Sequence, residues 1–152
     1  MTSSQTGLIN QLVINTDGGS RGNPGPAAIG WVIKSDQKII HQTSRYLGIT
    51  TNNQAEYQAL LDALNWVVTH SAEFTPTPTQ LSIACFLDSE LIVNQLNRVY
   101  KLKHPDLIPL GQSIFFLIKT HQLNITFTHI PRRLNAAADA LVNQALDQAY
   151  AV

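Results

Sequence analysis

Two apolar runs, Leu12 to Ile14 and Ala27 to Ile33, flank a segment in which six of nine residues, Gly18 to Pro26, are glycine or proline. No helix survives that density of breakers. The stretch reads as two strands joined by a tight loop whose backbone is open to a ligand. The first strand is expected over Gln11–Asp17 and the second over Ala27–Lys34, so the carboxylate of Asp17 stands at a strand end. A plain hairpin with a polar tip is the competing reading, because Asp-Gly is a common turn signal.

The rest of the chain follows from this start. Ser35 to Lys38 reads as a turn and Ile39–Leu47 as a third strand, so an antiparallel meander is expected. The cluster Thr51, Asn52, Asn53 opens a helix, with Asn53 and Glu56 matching a capping box. Leu60, Ala63, Leu64 and Val67 make its apolar stripe. Glu56 falls on that stripe, which leaves two readings: a capping glutamate or a functional carboxylate. The Thr75–Thr79 threonine–proline run ends the helix, and Leu81–Leu87 is a strand buried on both faces. Asp88 then either caps a short helix over Ser89–Asn97, with Leu91, Ile92 and Leu96 inward, or does chemistry. Asp106 is expected to cap a helix over Leu107–His121, and Asn124–Ile130 alternates like a strand. Asn135 caps a last helix to Ala149, with Val142, Leu146 and Ala149 inward and Asp139 on the same face. The order β-β-β-α-β-α-α-β-α predicts an α/β fold with a mixed five-stranded sheet and helices on both faces. One domain is expected over residues 10–152, behind a flexible tail at 1–9.

Composition enters by exclusion. Ten basic and ten acidic residues give no net charge, which argues against a partner held by bulk electrostatics. It leaves open an enzyme that grips a few phosphates locally. No apolar run approaches the roughly 18 residues of a membrane span, and the N-terminus lacks a secretory pattern. The one cysteine, Cys85, excludes an internal disulfide and a cysteine-based zinc site. A reducing, cytoplasmic setting and a monomer are the expectations, with no protein partner evident.

Four carboxylates thus stand in similar places: Asp17 and Asp88 at strand ends, Glu56 and Asp139 near helix starts. Burying even one unpaired carboxylate costs several kcal/mol. If the fold brings them together, something positive must fill the space. Oxygen ligands without cysteine point to a hard cation, Mg²⁺ or Mn²⁺. Two such ions roughly 4 Å apart are suited to phosphodiester cleavage.

The blocks TDGGSRGNPGPAAIGWVI, TNNQAEYQALLDAL, DSELIVNQLN and HIPRRLNAAADALVNQAL, in this order and spacing, resemble type 1 ribonuclease H. The resemblance covers about Gln11 to Ala149. It implies the ribonuclease H fold and a metal site made by Asp17, Glu56, Asp88 and Asp139. It implies cleavage of the RNA strand of an RNA–DNA hybrid with two Mg²⁺ ions, leaving 3′-hydroxyl and 5′-phosphate ends, with Mn²⁺ able to substitute. His129, ten residues before Asp139, matches a mobile histidine that helps water activation or product departure. The other reading of His129 is an exposed edge-strand residue. Gly18, Gly19, Ser20, Gly22, Asn23, Asn52 and Asn53 match positions that meet the hybrid's minor groove, where 2′-hydroxyls distinguish RNA from DNA. Asn52 and Asn53 also read as helix caps, and Thr51 matches a DNA-phosphate contact. Asn97 to Pro109, with Arg98, Lys101, Lys103 and His104, stands where many relatives carry a larger basic protrusion, so the chain resembles the short subgroup. Glu90 stands where some relatives have glutamine. The alternatives are the same chemistry on double-stranded RNA or on ribonucleotides embedded in DNA, or a catalytically silent hybrid-binding module.

Overall fold

The computed structural model describes residues 9–76 and 80–149. Nine regular elements follow one another: β1 (Gln11–Ser20), β2 (Gly25–Ser35), β3 (Lys38–Thr50), α1 (Asn52–His70), β4 (Ser82–Leu87), α2 (Glu90–Leu96), α3 (Ile108–Thr120), β5 (Asn124–His129) and α4 (Ala136–Ala149). The strands form one sheet in the order β3-β2-β1-β4-β5. The first three pair antiparallel as a meander, while β4 joins β1 and β5 joins β4 in parallel. The mixed five-stranded sheet expected from the sequence is therefore present.

Alternation along β1 and β2 divides the layers. Leu12, Ile14, Ile29, Trp31 and Ile33 point to one face, where they pack with Leu60, Leu64 and Val67 of α1, Ile92 and Leu96 of α2 and Ile114 of α3. Ala28, on the opposite face, packs with Val142, Ala145 and Leu146 of α4. Helices cover both faces, but the α4 side is thin and built from small residues. Gly30 explains why: a Cβ there would lie 2.4 Å from the Ala138 carbonyl oxygen and 2.9 Å from the Val142 amide nitrogen. Only a bare backbone lets α4 approach this closely.

Gly18 does the same on the other side. A Cβ there would lie 2.3 Å from the Ala55 carbonyl oxygen and 2.5 Å from the Glu56 amide nitrogen. The first turn of α1 therefore rests directly on β1, and Glu56 is carried to the strand that bears Asp17.

Several local expectations change. β1 does not stop at Asp17 but continues through Gly18, Gly19 and Ser20, which pair with Ile29, Ala28 and Ala27. The turn is only residues 21–24, closed by the Arg21 amide donating to the Pro26 carbonyl at 2.8 Å. Ladder pairing to a long neighbour overrides the low strand propensity of glycine. β3 likewise runs on to Thr50. The capping box of α1 belongs to Thr51 and Gln54, not to Asn53 and Glu56. α1 ends at His70, before the threonine–proline run, in a 3₁₀ turn over Ser71–Glu73. Ser89, not Asp88, caps α2, and Leu91 is exposed while Val93 is buried in its place. α3 has no side-chain cap from Asp106. Ala149 is exposed at the end of α4. Of the tail expected at 1–9, residues 1–8 lie outside the described residues, as do 77–79 of the threonine–proline run. Ile9 is held by its amide donating to the Phe74 carbonyl at 3.0 Å.

Candidate active site

The ladder between β1 and β4 ends at Asn15 and Phe86. Beyond that pair the two parallel strands part at their C-terminal ends, which is where open α/β sheets expose binding crevices. Asp17 lies two residues past the last pair on β1, and Asp88 follows β4. Glu56 enters from α1 over Gly18. One carboxylate oxygen from each of Asp17, Glu56 and Asp88 lies within 4.8 Å of the others. Asp17 is 6% exposed and Glu56 7%, whereas Asp88 is half-buried.

Among the described residues, no arginine or lysine forms an ion pair with these three groups. Burial, then the charges of Asp88 and Asp139, push the Asp17 carboxyl up to about 7, against the opposing pull of Glu56 and the Gly18 amide. Burial and the charges of Asp17 and Asp88 likewise raise Glu56 well above the usual carboxylate range. The Oε2 atom of Glu56 is buried without a hydrogen-bond partner. A buried carboxylate oxygen without a hydrogen-bond partner, beside two other carboxylates, is a position a divalent cation can fill.

Asp139 is set apart from this triad. It lines the same cavity of about 300 Å³. Its Oδ1 accepts from Arg132 at 3.4 Å; it lines the cavity with Val142 and Leu146, the face expected for it, but its side chain is 31% exposed rather than buried. Asn143, one turn further along α4, donates to the Asp139 carbonyl at 3.1 Å and lies 3.4 Å from its Oδ2.

The candidate contact residues divide. Gly18, Gly19, Ser20, Asn52 and Asn53 line the cavity; Gly22, Asn23, Thr51 and His129 do not. Asn52 Oδ1 accepts from the Ser20 amide at 2.8 Å, and Asn23 Oδ1 accepts from the Asn52 amide at 3.0 Å. These asparagines thus join the β1–β2 turn to the start of α1 through their carbonyl oxygens. Gly22 has φ +96°, a conformation that favours glycine. Thr51 caps α1 by accepting from the Gln54 amide at 3.1 Å. His129 is exposed at the end of β5, paired with Leu87 just before Asp88. Glu90 is exposed in the first turn of α2.

Three residues near the cavity escaped the sequence reading. Arg132 and Asn143 line it. Their only signal was spacing: Asn143 is four residues after Asp139, one helical turn. Asn135 was read as a helix cap. Instead it ends a 3₁₀ turn over Arg132–Asn135 and is buried, bonded to both β1 and Asp88.

Residues 15–145 match the family described as reverse transcriptase-like. The structure is similar to that of LC11-RNase H1, isolated from compost, with a TM-score of 0.86 and 44% identity over 94% of this chain and all of that one. The chain belongs to the type 1 ribonuclease H family. Among curated ribonuclease H relatives, ribonuclease HI of Halobacterium salinarum is 41% identical over 134 residues, 88% of this chain and 63% of that enzyme. A bifunctional protein of Mycobacterium tuberculosis is 36% identical over 91% of this chain, which spans only 36% of that protein. LC11-RNase H1 has also been solved in complex with an RNA/DNA hybrid, and this ribonuclease H fold matches that structure with a TM-score of 0.84 and 42% identity. No helix among the described residues is long and apolar enough to cross a membrane.

Proposed function

We propose that the chain is an endonuclease that hydrolyses the RNA strand of RNA–DNA hybrids with divalent cations, leaving 3′-hydroxyl and 5′-phosphate ends. The observation that carries this reading is the buried triad of Asp17, Glu56 and Asp88 with the unpartnered Glu56 oxygen. Membership of the ribonuclease H family and the hybrid complex of LC11-RNase H1 support the choice of substrate. Asp17, Glu56 and Asp88 would hold one Mg²⁺ or Mn²⁺, with Asp139 completing a second position across the cavity. Bound there, such ions supply Lewis-acid stabilisation of phosphate oxygens and lower the proton affinity of water.

The chain's own residues do the remaining work. Their side-chain carbonyls being engaged, Asn52 and Asn23 keep their amide N–H groups for the minor groove, beside the bare backbone of Gly18 and Gly19. Ser20 and Asn53 add polar contacts, Gly22 holds the turn, and Thr51 meets a DNA phosphate. His129, exposed at the end of β5 and paired with Leu87, moves a proton as the product departs; histidine as a residue type suits this near neutral pH. A buried lone thiol, Cys85, fits a cytoplasmic setting.

Incubation with an end-labelled hybrid tests the proposal. Cutting of the RNA strand with Mg²⁺ and none with EDTA is expected. Duplex RNA and DNA carrying a single ribonucleotide, run in parallel, are expected to be cut more slowly. Absence of hybrid cleavage with Mg²⁺ and Mn²⁺ alike would overturn it: cutting of duplex RNA or of the ribonucleotide-bearing DNA would then name the substrate, and no cutting of any of the three would leave the silent-module alternative.

A further inference from the structure

Asn135 is 1% exposed and lies outside every segment that the cleavage reading assigns to metal or substrate. Its environment is unusual for a residue at the start of a helix. Its Nδ2 donates to the Thr16 carbonyl at 2.9 Å and to Asp88 Oδ2 at 3.0 Å. Its Oδ1 accepts from Asn15 Nδ2 at 3.1 Å. Both amide protons are therefore used, and the carbonyl accepts one bond from β1.

The partners are placed to matter. Thr16 precedes Asp17 on β1, so the bond to its carbonyl fixes the peptide that carries the Asp17 side chain. Asp88 follows β4 just where that strand parts from β1, and no ladder bond restrains it. Asn135 itself sits four residues before Asp139. One side chain thus connects three of the four elements that bring carboxylates to the cavity. It also neutralises none of them. An arginine or lysine in the same place would compete with a cation, whereas an amide fixes one Asp88 oxygen and leaves Oδ1 available.

Resting on the metal-dependent reading above, we infer that Asn135 is a positioning residue that holds the Asp88 carboxylate and the Asp17 peptide in register for divalent-cation binding. Asn15 has the supporting role of fixing which way the Asn135 amide faces. The like charges of Asp17, Glu56 and Asp88 repel one another when no cation is bound. Without the Asn135 bond, Asp88, the least buried of the three, is the group free to swing outward into water.

Partners of this kind are worth about 10–100-fold in metal affinity. The test is titration of Mg²⁺ alone into the wild-type chain and into Asn135→Ala, followed by calorimetry, with hybrid kinetics measured across Mg²⁺ concentrations. A positioning role predicts Mg²⁺ binding weakened about 10–100-fold. It also predicts an unchanged KM for hybrid and a kcat that recovers at high Mg²⁺. A folded Asn135→Ala with wild-type Mg²⁺ affinity overturns the inference, whatever its activity. Should that variant fail to fold, the wild-type chain still decides. The Asn135 side-chain amide signals in an NMR titration are expected to resist solvent exchange and to shift with the midpoint of Mg²⁺ binding; signals that stay fixed while Mg²⁺ binds overturn it. A wild-type chain that binds no Mg²⁺ instead sinks the metal-dependent reading itself.

Discussion

Asp17→Asn is expected to lower the rate of hybrid cleavage by at least about 10³-fold while the chain stays folded. The side chain keeps its shape and loses only its charge. Asp17 is the most central of the carboxylates: it neighbours Glu56 and Asp88 and is influenced by Asp139. Cation-assisted charge stabilisation is worth several kcal/mol, and about 1.4 kcal/mol corresponds to tenfold in rate. A structural role would give the opposite pattern, with stability lost and activity retained per folded molecule. Here stability is expected to hold or rise without metal, since a buried like charge has been removed. Circular dichroism together with a single-turnover cleavage assay checks both halves.

Glu56→Gln has a second large effect, on stability and its pH dependence. The fold raises the proton affinity of Asp17 and Glu56 above that of the unfolded chain. The sign follows from linkage: a raised carboxyl stabilises the fold fully below its unfolded value and loses that contribution as pH rises through its folded value. For Asp17 the window runs from 3.8 to about 7. The wild-type chain in EDTA should therefore melt at a lower temperature at pH 8 than at pH 5. Each tenfold change in proton affinity is worth about 1.4 kcal/mol, so the loss is on the order of 2–4 kcal/mol, several degrees for a chain of this size. The glutamine amide carries no charge and donates to Asp17, which lowers the Asp17 value again. Glu56→Gln in EDTA is expected to show a flatter profile and a higher melting temperature at pH 8 than wild type. It is also expected to be inactive and to gain nothing from Mg²⁺. A wild-type melting temperature independent of pH between 5 and 8, with no increase on adding Mg²⁺, would contradict the account of Glu56.

Much of the fold was legible because it depends on long, regular patterns. The stripe from Leu60 to Val67 is buried as expected, and the run Leu81 to Leu87 forms β4, though with Ile83, Cys85 and Leu87 buried and Ala84 and Phe86 half-buried rather than buried on both faces. The glycine–proline segment misled at its start. Gly18, Gly19 and Ser20 carry no strand signal of their own, and only pairing with Ala27 to Ile29 makes them one. Caps were exchanged between neighbours for a similar reason. Thr51, Asn52 and Asn53 are all good capping residues, and the geometry of the chain arriving from β3 selects Thr51. The candidate site divides along the same line. Asp17, Glu56 and Asp88, which the fold brings within 4.8 Å of one another, stood out because a carboxylate on an apolar stripe or beside an apolar strand is conspicuous. Asp139 was placed near them, but its partial exposure and its contact with Arg132 depend on tertiary packing that no local pattern encodes. Asn135 was hidden because its three partners lie 47 to 120 residues away in the chain.

The central claim is that Asp17, Glu56 and Asp88 are held together, against their mutual repulsion, as ligands for a divalent cation. Crystals of the wild-type chain grown with Mn²⁺, with data collected at the manganese edge, test it most directly. The account predicts an anomalous peak within coordination distance of an oxygen from each of the three. An empty cavity with those carboxylates in the same positions, or manganese bound only elsewhere, would contradict it.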